Sequence, residues 1–249
     1  MSNPKAIFSI LLLVFLSCSS DDGGATILEG SRLDEMLAER EVVLANVIAC
    51  AASNVDPTKV SVFLYPRPNA SNIRYYETVS AEDDKDDFSN YSLREPPLFD
   101  VFNGFLLRYE VEPEREKWVI VTFEEGGMVH VSNPIRLKQL SGPTEYLSDN
   151  VIVDFSEGNM PQFTWVDGQI TDSIIYFHVI SDAENELLSG TYTLERQFQY
   201  YKLENVVLNI TEETPPTLTM DTTYTFTLLA VSEDNWVNLF SEVPFIIEN

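Results

Sequence analysis

Met220-Asp221-Thr222-Thr223-Tyr224-Thr225-Phe226-Thr227-Leu228-Leu229-Ala230-Val231-Ser232 is the stretch that decides the fold. A period of two puts Tyr224, Phe226, Leu228 and Ala230 on one face of a strand, and aromatic and β-branched residues pack well on a pleated surface. Outward from it, alternating segments recur at 162–166, 173–181, 192–201, 206–210, 223–231 and 239–247, divided by turn residues. Short strands at regular spacing predict an antiparallel β-sandwich over 147–249.

The same stretch resembles the strand F region of a fibronectin type III domain. In that family the tyrosine, here Tyr224, makes a corner with the preceding turn, and the residues in the places of Phe226, Leu228 and Ala230 face the core. Phe163-Thr164-Trp165 is similar to the family's early strand, with its tryptophan in the core, and 241–245 is similar to its last strand. The resemblance covers about 149–249. The segment 182–197 is longer than the family usually carries at that place.

Upstream the alternation continues at 59–65, 73–79, 105–111, 118–123 and 128–137, punctuated by Pro66, Pro68, Pro96, Pro97 and Pro113. Gly126-Gly127 predicts a tight hairpin, because paired glycines accept the positive φ that two-residue turns require. A first sandwich is thus expected over 57–140, with Ser141-Gly142-Pro143-Thr144 as the linker to the second. Over 31–54, Leu33, Met36, Leu37, Val43, Leu44, Val47, Ile48 and Ala51 fall at helical spacing. Ser31 and Asp34 supply a start, Asn54 and Pro57 a stop. The expected fold class is therefore mainly β: two consecutive Ig/fibronectin III-like antiparallel β-sandwiches preceded by one amphipathic α-helix. Cys50, in the run Ala49-Cys50-Ala51-Ala52, reads as a small buried hydrophobe at a close contact of that helix.

At the N-terminus, one lysine, an apolar run over 6–16 and a small residue before Cys18 make a lipoprotein signal peptide over 1–17. The run falls short of the roughly 20 apolar residues that a membrane-spanning helix needs. Cys18 would become the lipidated first residue of the mature chain. A flexible tether, 18–30, would follow. Its Ser19-Ser20-Asp21-Asp22-Gly23-Gly24 resembles the acidic tether that sends Bacteroidota lipoproteins to the outer face of the outer membrane, which implies an anchored protein facing the cell exterior.

The chain holds 40 acidic and 15 basic residues, a net charge of −25. Such a charge repels nucleic acid and anionic membrane surfaces, so membrane contact is expected through the lipid on Cys18 alone. With Cys18 lipidated, Cys50 has no partner for an intramolecular disulfide. The sequons at Asn69, Asn90 and Asn209 read as chance matches in a chain with a bacterial signal.

Catalytic hardware is thin. His130 and His178, the two histidines, fall on expected strands of different sandwiches, and no nucleophile elbow, phosphate loop, paired Cys-X-X-Cys or histidine-based metal motif occurs. The expectation is a non-enzymatic protein without cofactor or catalytic metal. Glu82-Asp83-Asp84-Lys85-Asp86-Asp87 offers oxygen ligands in the manner of a calcium loop, but without its spacing and with Lys85 in the middle. It reads as a solvated loop. Trp118 and Trp165 sit in alternating patterns and are expected in the core, while alternation divides Phe198, Tyr200 and Tyr201 between two faces.

Trp236 stands in Glu233-Asp234-Asn235-Trp236-Val237-Asn238, the loop between the last two expected strands, and loops at the end of a sandwich are common recognition sites. Trp236, with Asp234, Asn235 and Asn238 as the nearest polar groups, is the candidate ligand-binding set; the alternative is that Trp236 folds back to cover the core edge. Two roles follow. One is an envelope protein whose sandwiches bind a partner protein or act as a spacer in a surface assembly. The other is a glycan-binding lipoprotein of a polysaccharide-uptake system.

Overall fold

The computed structural model describes residues 32–211 and 214–247. The expected signal peptide, Cys18 and the tether lie outside the described residues. Within them a short helix α1 (Leu33–Leu37) leads into β1 (Val42–Val47), β2 (Ala49–Ser53), β3 (Val60–Leu64), β4 (Ser71–Glu77), β5 (Ser92–Arg94), β6 (Leu98–Val101), β7 (Leu106–Val111), β8 (Trp118–Glu125), β9 (Met128–Ser132) and β10 (Ile135–Arg136). These form two sheets, β1-β9-β8-β4-β5 with β10 on β8, and β2-β3-β7-β6.

The second block contains β11 (Glu145–Tyr146), β12 (Val151–Asp154), β13 (Gln162–Trp165), β14 (Ser173–Ser181), β15 (Leu187–Thr193), β16 (Gln197–Gln199), β17 (Val206–Asn209), β18 (Thr223–Ser232) and β19 (Val237–Ile246). A three-stranded sheet, β12-β13-β16, faces the larger sheet β11-β19-β18-β14-β15-β17. The protein is mainly β and is built from two consecutive sandwiches, as expected. Pairing is antiparallel except where β1 runs parallel to β9 and β11 parallel to β19, and at a single parallel bridge between Ala51 and Trp236.

Alternation explains the second core. Tyr224, Phe226, Leu228 and Ala230 of β18 join Phe163, Trp165, Tyr176, Phe198, Tyr200 and Phe245 in one buried cluster. Phe163 stacks on Phe226 with centroids 4.1 Å apart. The Tyr224 hydroxyl accepts a 2.9 Å bond from the Thr219 amide, the corner that the resemblance implies. Phe198 and Tyr200 both face this core, consistent with their separation by two. Segment 182–197, expected to be an insertion, forms β15, and the single strand expected over 192–201 is divided between β15 and β16 by a turn. Gly190 lets β15 approach its neighbour, since a Cβ there would meet Ile210 Cγ1 at 2.8 Å. The Gly126-Gly127 hairpin forms as expected, with φ of 60° and 84°.

The helix expected over 31–54 is not what forms. α1 stops at Leu37, and most of the remainder is β1 and β2, which pass from one sheet of the first sandwich to the other. Ala51 packs in the first core with Val47, Val62, Val121 and Ile135. Ala52, on the opposite face, packs with Phe177, Leu229 and Val231 of the second sandwich. A strand buried on both faces shows no polar side, so its apolar residues imitate helical spacing.

That last cluster sets the architecture. The sheet β2-β3-β7-β6 has the first core on one side and the larger sheet of the second sandwich on the other. The two sandwiches are thus packed face to face through Ala52, Leu106, Phe177, Val179, Leu229, Val231 and Val237. The 141–144 connection is pinned rather than free. Thr144 and Ser53 exchange bonds of 3.0 and 2.8 Å, and Thr144 Oγ1 donates to the Val237 carbonyl at 2.8 Å. On the outermost face of the first sandwich, Leu33 of α1 covers Tyr76, Tyr91 and Ile120.

Candidate binding cleft between the sandwiches

The β18–β19 hairpin crosses from the second sandwich to the first. Its turn is built locally. Ser232 Oγ donates to Asp234 Oδ1 at 2.6 Å, and Asn235 N donates to Ser232 O at 3.0 Å. Asn235 takes a φ of 59°, a left-handed conformation that asparagine tolerates better than most residues. The turn is tied to the first sandwich by Arg136 N on Asp234 O (2.9 Å) and Ala51 N on Asn235 O (3.0 Å), and by Asn235 Nδ2 on Pro134 O (3.0 Å).

The consequence for Trp236 decides between its two readings, in favour of the core, and removes it from the candidate ligand-binding set. The indole is 0% exposed and belongs to the first sandwich's core, beside Val47, Val62, Ile135 and Leu137. Its Nε1–H donates to the Gly142 carbonyl at 2.8 Å. A ring with no exposed face offers no docking platform. It is instead the bolt that joins one sandwich to the core of the other. The remaining candidates do surround a concavity. Asp234 and Asn235 line a polar cleft of about 840 Å³, together with Trp118, Lys138, Asp172 and Glu233. Asn238 is buried and braces the opposite wall, donating to Asp172 Oδ1 at 2.6 Å and Ser173 Oγ at 3.0 Å.

Sequence reasoning missed Lys138, whose Nζ pairs with Asp234 Oδ2 at 2.8 Å, and the Thr171–Ile174 wall. No local pattern marks either, because the cleft exists only when the sandwiches are packed together. Trp118, expected in the core, is half-buried at the rim. Its Nε1–H is held by the Ala81 carbonyl at 3.1 Å, and the Arg136 guanidinium lies 5.5 Å from its ring centroid. Trp165 is buried in the second core as expected.

The acidic run 82–87 is occupied with its own turns. Asp83 accepts from Ser80 N, Asp84 from Asp86 N, and Asp87 from Ser89 N and Oγ, while Lys85 pairs with Asp86. Among the described residues no group of three His, Cys, Asp or Glu side chains could hold a metal ion, and no helix is long and apolar enough to cross a membrane.

Both histidines lie inside sandwiches. His130 Nδ1 meets Asn46 Oδ1 at 2.7 Å, and its ring stacks on Phe123. His178 is sandwiched near Phe198, 4.2 Å between centroids, with Thr191 Oγ1 2.8 Å from Nδ1. Burial pushes its pKa from 6.5 down to about 3. Between those values the unfolded chain binds a proton that the native core refuses, so this contribution to stability is present above about pH 6.5 and is lost as pH falls toward 3. At pH 5 the loss amounts to about 2 kcal/mol. Urea unfolding at pH 7 and pH 5 should show His178→Leu losing less stability than the parent over that interval; equal losses would contradict a buried neutral imidazole.

No protein-family profile matches the chain. A comparison with curated proteins likewise finds no match. Among solved structures it is similar to the FN1–FN3 domains of chicken CNTN1, at 12% identity and a TM-score of 0.30, covering 84% of this chain and 69% of that one. A chain of a cytokine receptor complex is similar at 10% identity and a TM-score of 0.28, covering 79% and 99% respectively.

Proposed function

We propose that the chain is a non-catalytic, lipid-anchored cell-envelope protein, held at the outer membrane through Cys18 and facing the exterior, whose paired sandwiches present the cleft at Asp234 and Asn235 to a protein partner. The observation that carries this reading is the bracing of the cleft by hydrogen bonds between the two sandwiches. Its walls come from both sandwiches, and the hairpin between them is fixed by three bonds to the first sandwich's backbone. A preformed surface saves the ordering entropy that binding otherwise costs, which suits recognition of a folded partner and a spacer of defined shape alike. The glycan reading drew on an exposed Trp236 ring; with that ring buried, the partner reading is the stronger.

The test uses a photo-crosslinking residue in place of exposed Glu233 at the cleft, or of exposed Ser156 at the opposite end of the second sandwich, in cells carrying the full chain. Glu233 should yield one discrete cross-linked protein and Ser156 none. Cys18→Ala should move the protein from the membrane to the soluble fraction, since its membrane contact comes from the lipid. Equal cross-linking at both positions, membrane retention of Cys18→Ala, or glycan-array hits without any cross-linked protein would overturn the corresponding part.

A further inference from the structure

A second concavity lies on the apolar side of the sandwich–sandwich interface, away from the polar cleft. It measures about 280 Å³ and is lined by Ile48 and Phe63 from the first sandwich and Phe177, Tyr192, Leu229 and Phe240 from the second, with Cys50 and Thr227 among its walls. Phe177 and Tyr192 stack with centroids 4.5 Å apart, so the lining includes a paired aromatic group.

Thr227 is the unusual group. It is 3% exposed, alternates with the core-facing residues of β18 and so points toward the interface, and its Oγ1 has no hydrogen-bond partner among the described residues. A buried hydroxyl left unpaired costs free energy, and such groups usually have a partner. Beside it, in register on β19, stands Glu242, which lines the cavity with Asp100 and has no ion-pair partner among the described residues. Desolvation raises the carboxyl of this exposed residue above the usual range. Cys50 brings no nucleophile here, since burial pushes its thiol up to about 12 and leaves it protonated at neutral pH.

We infer that this cavity is a binding site for a small aromatic molecule, neutral or cationic, that carries a hydrogen-bonding group for Thr227. Size, shape and charge all bear on this. A dry cavity of about 150 Å³ holds benzene, so the space here takes a ligand of about ten heavy atoms, smaller than a drug-sized molecule. The aromatic walls favour a planar ring. The Asp100 and Glu242 carboxylates at the site, within a chain of net charge −25, oppose an anion and attract a cation.

Indole, tryptamine and indole-3-acetate share one ring system and differ in charge, so they serve as probes on the full chain. Indole and tryptamine should raise the melting temperature at millimolar concentration, and indole-3-acetate should not. In a methyl-labelled sample the shift changes should centre on Ile48, Leu106 and Leu229. Thr227→Val removes the hydroxyl at constant shape, so the unliganded protein should stay folded while indole affinity falls roughly five- to tenfold. No stabilisation by any probe, equal effects of all three, unchanged affinity in Thr227→Val, or shift changes away from the interface would each overturn the assignment.

Discussion

Replacing Trp236 with alanine is expected to lower the melting temperature by roughly 10 °C. Truncating a buried tryptophan costs about 3–5 kcal/mol through lost transfer energy and the cavity left behind. In a protein of this size each kcal/mol moves the midpoint by about 2–4 °C. Two losses act together here. The indole leaves a hole among Val47, Val62, Ile135 and Leu137, and the Gly142 carbonyl loses the Nε1–H that satisfies it. Because the ring joins the second sandwich to the first, the variant should also broaden the calorimetric transition as the two halves begin to melt separately. Trp236→Phe keeps much of the packing without the donor and should lose less. A midpoint change of a degree or two in Trp236→Ala, with weakened partner binding, would return the indole to the surface and restore the sequence reading.

The second large effect concerns the isolated second sandwich, residues 147–249. Its own core suggests that it could fold alone, as a sandwich of about 100 residues ordinarily can. Separation would, however, bare Phe177, Val179, Leu229, Val231 and Val237, which the first sandwich covers. Burying such side chains contributes about 1.5–3 kcal/mol each, so the exposed face forfeits on the order of 10 kcal/mol, comparable with the whole stability of a typical domain. The fragment is therefore expected to express insolubly or to bind a hydrophobic dye with broad unfolding, whereas the full chain should unfold in one transition. A soluble, dye-free fragment with a sharp melt would show that the interface is dispensable.

Much of the fold was legible from local pattern. Tyr224, Phe226, Leu228 and Ala230 fall on the core face that alternation assigns them, and Gly126-Gly127 turns where paired glycines demand. These features depend on side-chain period and backbone sterics within a few residues, and such information is carried by the chain itself.

Two readings failed for one shared reason. In 49–53, Ala51 faces one core and Ala52 faces another protein layer, so the polar face that distinguishes a half-buried strand from a helix is missing there. In Glu233–Asn238 the residues are those of a surface turn, and within one sandwich Trp236 would indeed stand at its edge. It is buried because the first sandwich docks over that edge. Local sequence therefore determined the strands, the hairpins and the inward faces of each sandwich. The face-to-face packing decided which outer faces and which loop became interior, and with them the polar cleft and the apolar cavity, because burial by a distant segment leaves no period in the residues it covers.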